Sequence, residues 1–143
     1  MGVFRNTFLS FGEGSCDPAK WRSHFLEYSP EEWKVEGGGV LQYHSDEGKE
    51  YALIIVHWAD SAFILQLACR NLSTNRFDWC KFALASMDKL DQFEQQDDLC
   101  YPAGCLHTAS EAWLVVEDFL DQPQHPSDRT QWVDDAAIPW PEL

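Results

Sequence analysis

The sequence is poor in basic residues. It has 10 Lys and Arg against 24 Asp and Glu in 143 residues, a formal net charge of −14. Residues 1–86 hold 11 acids and 8 bases, a net of −3, whereas residues 87–143 hold 13 acids and 2 bases, a net of −11. Such a field repels nucleic acid and anionic membranes and attracts basic partners. Acidity that only maintains solubility is the alternative explanation.

The sequence also lacks the patterns of a membrane-spanning helix and of a secretory signal peptide. No stretch approaches the roughly 20 apolar residues of a membrane-spanning helix. The first residues, Met1-Gly2-Val3-Phe4-Arg5, do not have the pattern of a secretory signal peptide. We therefore expect a cytoplasmic protein that makes no contact with a membrane.

The five cysteines form no CxxC pair. Cys69 and Cys80 lie in apolar runs and are predicted to be buried thiols. Cys100 and Cys105 flank a predicted turn, so a local disulfide between them is one alternative. A reducing compartment, which the missing signal pattern predicts, keeps such thiols free.

Motifs for catalysis, metals and phosphates are also missing. The five His form no HxH or HExxH pair, and His57 is predicted to be an ordinary histidine at the end of a strand. The glycines at 37–39 lack the Lys-Ser/Thr of a phosphate loop and predict a turn. No GxSxG elbow is present, and neighbouring carboxylates are typical of a solvated surface. We therefore expect no enzyme activity, no metal and no cofactor.

What the chain does have is enough apolar material to fold. Apolar residues make up 45% of it, with 7 Trp and 9 Phe, which excludes a disordered acidic tail. Its length suits one domain with its own core. We expect a single domain over residues 1–143, with an irregular C-terminal tail from about residue 122.

Strand patterns dominate the first two thirds. Short β-branched and aromatic runs predict strands over 3–11, 31–36, 40–43, 51–58, 63–69 and 77–84. The continuous apolar run at 51–58 predicts a central strand covered on both faces, paired as a hairpin with 63–69. Polar stretches predict turns at 45–48, 71–75 and 101–104. Residues 87–98 predict a short exposed helix or a loop.

Two segments predict helices. Asp17-Pro18 favours a helix start, with Trp21 and Phe25 on one apolar face. Thr108 and Glu111 match a capping box before the second helix. Its predicted apolar face holds Ala112, Val115, Val116, Phe119 and Leu120, and its polar face holds Glu117, Asp118 and Asp121. The sequence thus predicts an α+β fold: a mostly antiparallel sheet of about 4–6 strands backed by two main helices (about 17–28 and 109–120).

The back third carries a resemblance to a known family. It combines Tyr101-Pro102, a capped helix that contains Ala112 and Phe119, a link with Pro126, and a Trp close to the last Leu. In this order it resembles the first immunity family of bacterial polymorphic-toxin systems, which are antidotes encoded beside secreted toxins.

Two tryptophans match the W-x-x-L-like ending of that family. Trp140 matches it in Trp140-Pro141-Glu142-Leu143, but after a longer link than is usual. Trp132 has the better spacing from Pro126, but eleven residues follow it. The hairpin predicted over 51–69 resembles the family's central strands, so the resemblance covers about the last 95 residues.

The resemblance implies an antidote that binds and neutralises a cognate toxin. Relatives oppose several kinds of toxin, including nucleic-acid deaminases and nucleases, whose substrate channels are basic. An acidic antidote can occlude such a site. We expect a monomer in a 1:1 complex with the toxin domain. The alternative is an acidic adaptor or chaperone for a basic secreted protein. The predicted partner-binding residues are Asp97, Asp98, Glu117, Asp118, Asp121, Trp132, Asp134 and Asp135.

Overall fold

The computed structural model describes residues 2–8, 18–31, 33, 38–58, 61–96 and 98–141. The strands are β1 (Val3–Phe8), β2 (Gly38–His44), β3 (Lys49–Trp58), β4 (Ala62–Asn71), β5 (Arg76–Leu84), β6 (Phe93–Gln96), β7 (Leu99–Pro102) and β8 (Gln131–Asp134). The helices are α1 (Pro18–Leu26) and α2 (Ala109–Asp121). Short 3-10 helices span Met87–Lys89, Ala103–Cys105 and Asp135–Ala137.

Six of these strands form one sheet. Their order is β1-β2-β3-β4-β5-β8, and every neighbouring pair is antiparallel. Strands β6 and β7 form a separate two-stranded sheet. The predicted α+β class, with an antiparallel sheet of the expected size and two main helices, is confirmed.

The central hairpin is formed by β3 and β4, as the apolar run predicted. Their register extends from Lys49 opposite Asn71 to Trp58 opposite Ala62. Side chains alternate between the two faces of a strand. Leu53 therefore packs into the cluster beneath the helices, whereas Trp58 packs into a second cluster on the other face.

The larger core lies between the sheet and the two helices. Phe25 of α1 is buried and stacks near Phe63 of β4 and Trp113 of α2, with ring centroids 5.7 and 5.9 Å away. The predicted apolar face of α2 is buried, and Trp113 is buried beside it because α1 packs against that side of the helix. The two helices therefore cover one face of the sheet together.

Helix α2 begins with the predicted capping box. The Glu111 backbone N–H donates to Thr108 Oγ1 at 3.2 Å, and the Thr108 N–H donates to Glu111 Oε1 at 2.8 Å. These bonds satisfy two backbone donors that a helix start otherwise leaves without a partner. The start of the other helix agrees with its prediction at Pro18, but Asp17 lies outside the described residues.

The second face of the sheet, here called the outer face, carries the smaller core. Segment 87–106 covers one end of it, with Tyr101 against Trp58 at 5.5 Å between ring centroids. The chain after β8 contributes Ile138 to this core. It also places Trp140 beside Phe82, with 5.7 Å between the ring centroids.

Two predictions around residue 35 are wrong. Residues 30, 31 and 33 are helical rather than part of a strand over 31–36, and residues 32 and 34–36 lie outside the described residues. Trp33 is buried, and its Nε1–H donates to the His24 carbonyl at 2.9 Å. That contact, with a carbonyl nine residues earlier in α1, favours the helical turn. Gly38 and Gly39 belong to β2 rather than to a turn; Gly38 has φ 143°, and a Cβ there would lie 2.0 Å from the Ile55 carbonyl oxygen.

The back third also departs from prediction in places. Residues 93–96 form β6, not a helix or loop, because they pair with β7. Residues 101–102 end β7 and 103–105 form a 3-10 helix, where a turn was predicted. The tail is not wholly irregular, since β8 pairs with β5 and places Trp132 opposite Ala83. The pairing of β8 with β5 joins residues about 50 apart in sequence, so local patterns do not reveal it.

The described cysteines are free thiols. Cys69 and Cys105 are buried, whereas Cys80 and Cys100 are only half-buried. The predicted burial of Cys80 is therefore corrected, because it faces the part of the outer face that segment 87–106 leaves uncovered. Cys16 lies outside the described residues.

Within the described ranges, no helix has both the length and the apolar character needed to cross a membrane.

Replacing Phe119 with Ala should lower the free energy of unfolding by about 3–5 kcal/mol, because the ring is 3% exposed and its loss leaves a cavity. Leu114→Ala, on the same helix but 36% exposed, should change it by no more than about 0.5 kcal/mol. Urea denaturation of both variants measures the difference, and equal effects would contradict the assigned helix face.

Candidate functional site

The C-terminal end of α2 is unusually acidic. Glu117, Asp118 and Asp121 lie within its last five residues, and no basic residue lies in its last turn. The unpaired carbonyl groups of a helix C-terminus carry partial negative charge, so carboxylates there are locally unfavourable. Positions that break a local rule in this way are expected at functional sites.

One guanidinium group neutralises part of this charge. Arg129 Nε donates to Asp118 Oδ2 at 3.0 Å, and Nη2 lies 2.5 Å from Asp118 Oδ1 and 2.8 Å from Glu117 Oε1. The same Nη2 also donates to the Leu114 carbonyl at 3.1 Å. The Ser127 hydroxyl donates to Asp118 as well. Residues 127–129 are thereby fixed to the side of α2.

Asp118 is the centre of this network. Burial alone would raise the pKa of its carboxyl group, but hydrogen bonds from Arg129 and Ser127 and the positive charge of Arg129 outweigh burial and lower it. The hydrogen bonds to Asp118 and Glu117 raise the pKa of Arg129 in turn. The prediction that Asp118 simply faces water is therefore wrong, because its side chain is half-buried and ion-paired.

A depression of about 750 Å³ lies between the end of α2 and the loop that follows it. Its wall includes Asp118, Asp121, His125, Asp128, Arg129 and Trp132. Asp121 and Asp128 are exposed, and their carboxylates form no ion pair within the described part of the chain. The depression is therefore concave, acidic and braced by Arg129.

The indole rings of the two tail tryptophans pack against other parts of the chain and do not protrude from the surface. Trp132 is half-buried against the larger core, and its Nε1–H donates to the Ser127 carbonyl at 2.9 Å. Trp140 is 36% exposed, and its Nε1–H points to the carbonyl and carboxylate of Asp135 at 3.2 and 3.1 Å. Trp132 thus forms part of the depression wall and is not a protruding anchor.

The structure brings only some of the predicted partner-binding residues together. Asp118, Asp121 and Trp132 line the depression, and Glu117 is linked to it through its ion pair with Arg129. Asp134 pairs with Lys81 at 3.2 Å on β5, and Asp135 holds Trp140.

The two remaining predicted residues do not join them. Asp98 is exposed at the turn between β6 and β7, away from α2, and Asp97 lies outside the described residues. Sequence reasoning missed Arg129, although it is the only Lys or Arg in residues 90–143 and so a natural partner for the surrounding acids.

His57 and His107 make ordinary structural contacts. His57 is buried, its Nε2 lies 2.5 Å from the Tyr28 hydroxyl, and its ring stacks on that of Trp33. His107 Nε2 lies 3.0 Å from the Ala83 carbonyl oxygen. In the part of the chain that the structure describes, His, Cys, Asp and Glu side chains form no group of three or more that could hold a metal ion.

Comparison of the chain with models of known protein families, with curated proteins and with solved structures gave no match. Its function must therefore be inferred from its own residues.

Asp118→Asn should lower the free energy of unfolding at pH 7 by about 1–2 kcal/mol, because it weakens charge-assisted hydrogen bonds at a partly exposed site. The folded-state pKa of Asp118 lies below its unfolded value of about 3.9. The stabilisation is complete above that value and is lost as pH falls through the folded pKa.

Urea denaturation at pH 7 and at about pH 2–3 tests this prediction. The gap between the unmodified chain and Asp118→Asn should narrow in acid. Asp121→Asn, at the same helix end, should change stability by no more than about 0.5 kcal/mol at either pH. A gap that stays constant with pH would show that the ion pair is not its source.

Proposed function

We propose that this chain is an immunity protein. In this proposal it binds a cognate secreted toxin in the cytoplasm and neutralises it without catalysis of its own. The observation that carries the proposal is the acidic depression at the end of α2, whose carboxylates exceed the positive charge available to them.

The distribution of ion pairs supports a basic partner. Four basic side chains are already paired within the chain: Lys49 with Asp78, Arg70 with Glu50, Lys81 with Asp134, and Arg129 with Glu117 and Asp118. The remaining field is strongly negative. It accelerates association with a positively charged surface and slows association with nucleic acid.

The rigidity of the depression supports a folded partner. Arg129 and Ser127 hold the loop against α2, and the Trp132 Nε1–H holds it against β8. A surface braced before binding loses little conformational entropy on association. Such a surface suits a folded toxin domain with a basic substrate channel, which an acidic protein can occlude.

The unfavourable position of the acids at the end of α2 also supports a function in partner binding. Asp121 weakens the helix end and, among the described residues, has no ion-pair partner. A function in partner binding explains why a carboxylate stands where the helix dipole disfavours it.

Growth rescue is the first test. The C-terminal domain of the secreted protein encoded beside this chain is expressed in a heterologous bacterium, alone and together with the chain. We expect the domain to stop growth and the chain to restore it, with a 1:1 complex recovered by co-purification. Phe119→Ala serves as the control for loss of rescue through loss of folding.

Two results would contradict the proposal. One is a domain that is harmless. The other is a domain that stops growth despite soluble, folded chain. Binding to an unfolded or non-toxic segment of the secreted protein would instead favour the alternative function, an acidic adaptor or chaperone.

Charge reversal tests the depression itself. Asp121→Lys with Asp128→Lys should slow association with the toxin domain about tenfold at low salt and reduce its salt dependence, because both carboxylates lie in the wall of the depression. Glu117, Asp118 and Asp134 are unsuitable for this test, because their reversal breaks internal ion pairs.

The matched control is Asp88→Lys with Asp91→Lys, which changes the net charge equally at exposed positions of another segment. Stopped-flow association rates at several salt concentrations give the comparison. Equal slowing by both pairs would mean that net charge, and not the depression, directs association.

A further inference from the structure

Part of the outer face has no covering element among the described residues. Segment 87–106 and the chain after β8 pack over the end near Trp58, but the end near the turns at 45–48 and 72–75 belongs to neither core cluster. This surface is called the open face. Its residues alternate with the helix-facing ones on β2 to β5: Val40, Gln42, Ala52, Ile54, Gln66, Ala68 and Cys80.

The charges on the open face neutralise each other. Glu50 is 8% exposed and accepts hydrogen bonds from Arg70 Nη2 at 2.9 Å and from His44 Nε2 at 3.0 Å. Arg70 Nη1 also donates to Asn75 Oδ1 at 2.8 Å. The cluster forms one fixed end of a surface that is otherwise apolar or uncharged.

Phe77 is the most exposed large apolar side chain in the described ranges. It lies opposite Arg70 at the edge of the open face and is 65% exposed. An exposed phenyl ring beside a half-buried sheet surface can serve as an anchor in a protein contact.

The charge around the open face indicates what covers it. Charged groups border it at both ends: the cluster of Glu50, Arg70 and His44 at one end, and Asp135, which lies close to Cys80, at the other. An uncharged centre with a charged rim is the usual anatomy of a protein interface. A second copy of a chain with net charge −14 is repelled, whereas a basic protein is attracted.

We infer that the basic toxin domain also contacts the open face, with Phe77 as an apolar anchor. The inference rests on the proposed function and assigns different roles in binding to two surfaces. The acidic depression directs association, and the open face supplies the desolvated contact that makes the complex long-lived. Strand β8 lies between them, because Trp132 faces the depression and its neighbour Val133 packs on the outer face.

Cys80 is a native reporter for this contact, since it is a half-buried thiol on the open face. The purified complex and the chain alone are treated with N-ethylmaleimide, and modification of each cysteine is followed by mass spectrometry. We expect Cys80 to react at least about tenfold more slowly in the complex. Cys100, half-buried on β7, is the internal control and should react at a similar rate in both.

Phe77→Ala is the second measurement. It should raise the Kd for the toxin domain about 30-fold and leave thermal unfolding of the chain unchanged. Leu114→Ala, an exposed apolar residue on the helix side, should change the Kd by less than about threefold.

Each outcome decides the matter. Slower labelling of Cys80 together with weaker binding of Phe77→Ala supports the inference. Rescue of growth with Cys80 equally reactive in the complex, or with tight binding of Phe77→Ala, overturns it and leaves the proposed function standing. If Cys80 does not react even in the chain alone, the binding of Phe77→Ala alone decides, and tight binding overturns the inference. Absence of rescue overturns both.

Discussion

The ten-residue pairing between β3 and β4 is the constraint on which the rest of the structure depends. Because only three residues separate the two strands along the chain, their register assigns every side chain of the hairpin to one face of the sheet or the other. Leu53 and Phe63 meet the helices, whereas Trp58 and Ile64 meet the segment after β5. A shift of one residue would exchange these two sets and leave neither core intact.

The two cores place the acidic depression and the open face on opposite sides of one sheet. Helix α2 must lie on the larger core to bury Phe119, and its acidic end is consequently presented beside β8. Among the described residues, Tyr101 and Trp140 cover one end of the outer face, and the side chains at the other end are buried or half-buried without a covering element. A chain of this size therefore offers one charged and one uncharged surface without a second domain.

Features that depend on neighbouring residues could be predicted from the sequence. Features that depend on residues brought together by folding could not. Helix α2 was predictable because Thr108 and Glu111 form a local capping box, and the central hairpin because its apolar run is continuous. The helical turn at Trp33 was not predictable, because its indole depends on a carbonyl in α1. The acidic residues at the end of α2 could be recognised in the sequence. Their pairing with Arg129 could not, because the loop after the helix brings Arg129 to them. The packing of Trp132 depends in the same way on the pairing of β8 with β5.

Strand β8 occupies an edge of the sheet, and this position has a consequence for the order of synthesis. The ribosome produces β8 after the other five strands and both helices, and an edge strand can join a finished sheet without displacing any member of it. The walls of the depression include Asp128, Arg129 and Trp132, all of which emerge with or after the loop that follows α2. A nascent chain can thus acquire most of its core before it acquires its acidic depression, and competence to bind is among the last properties to mature.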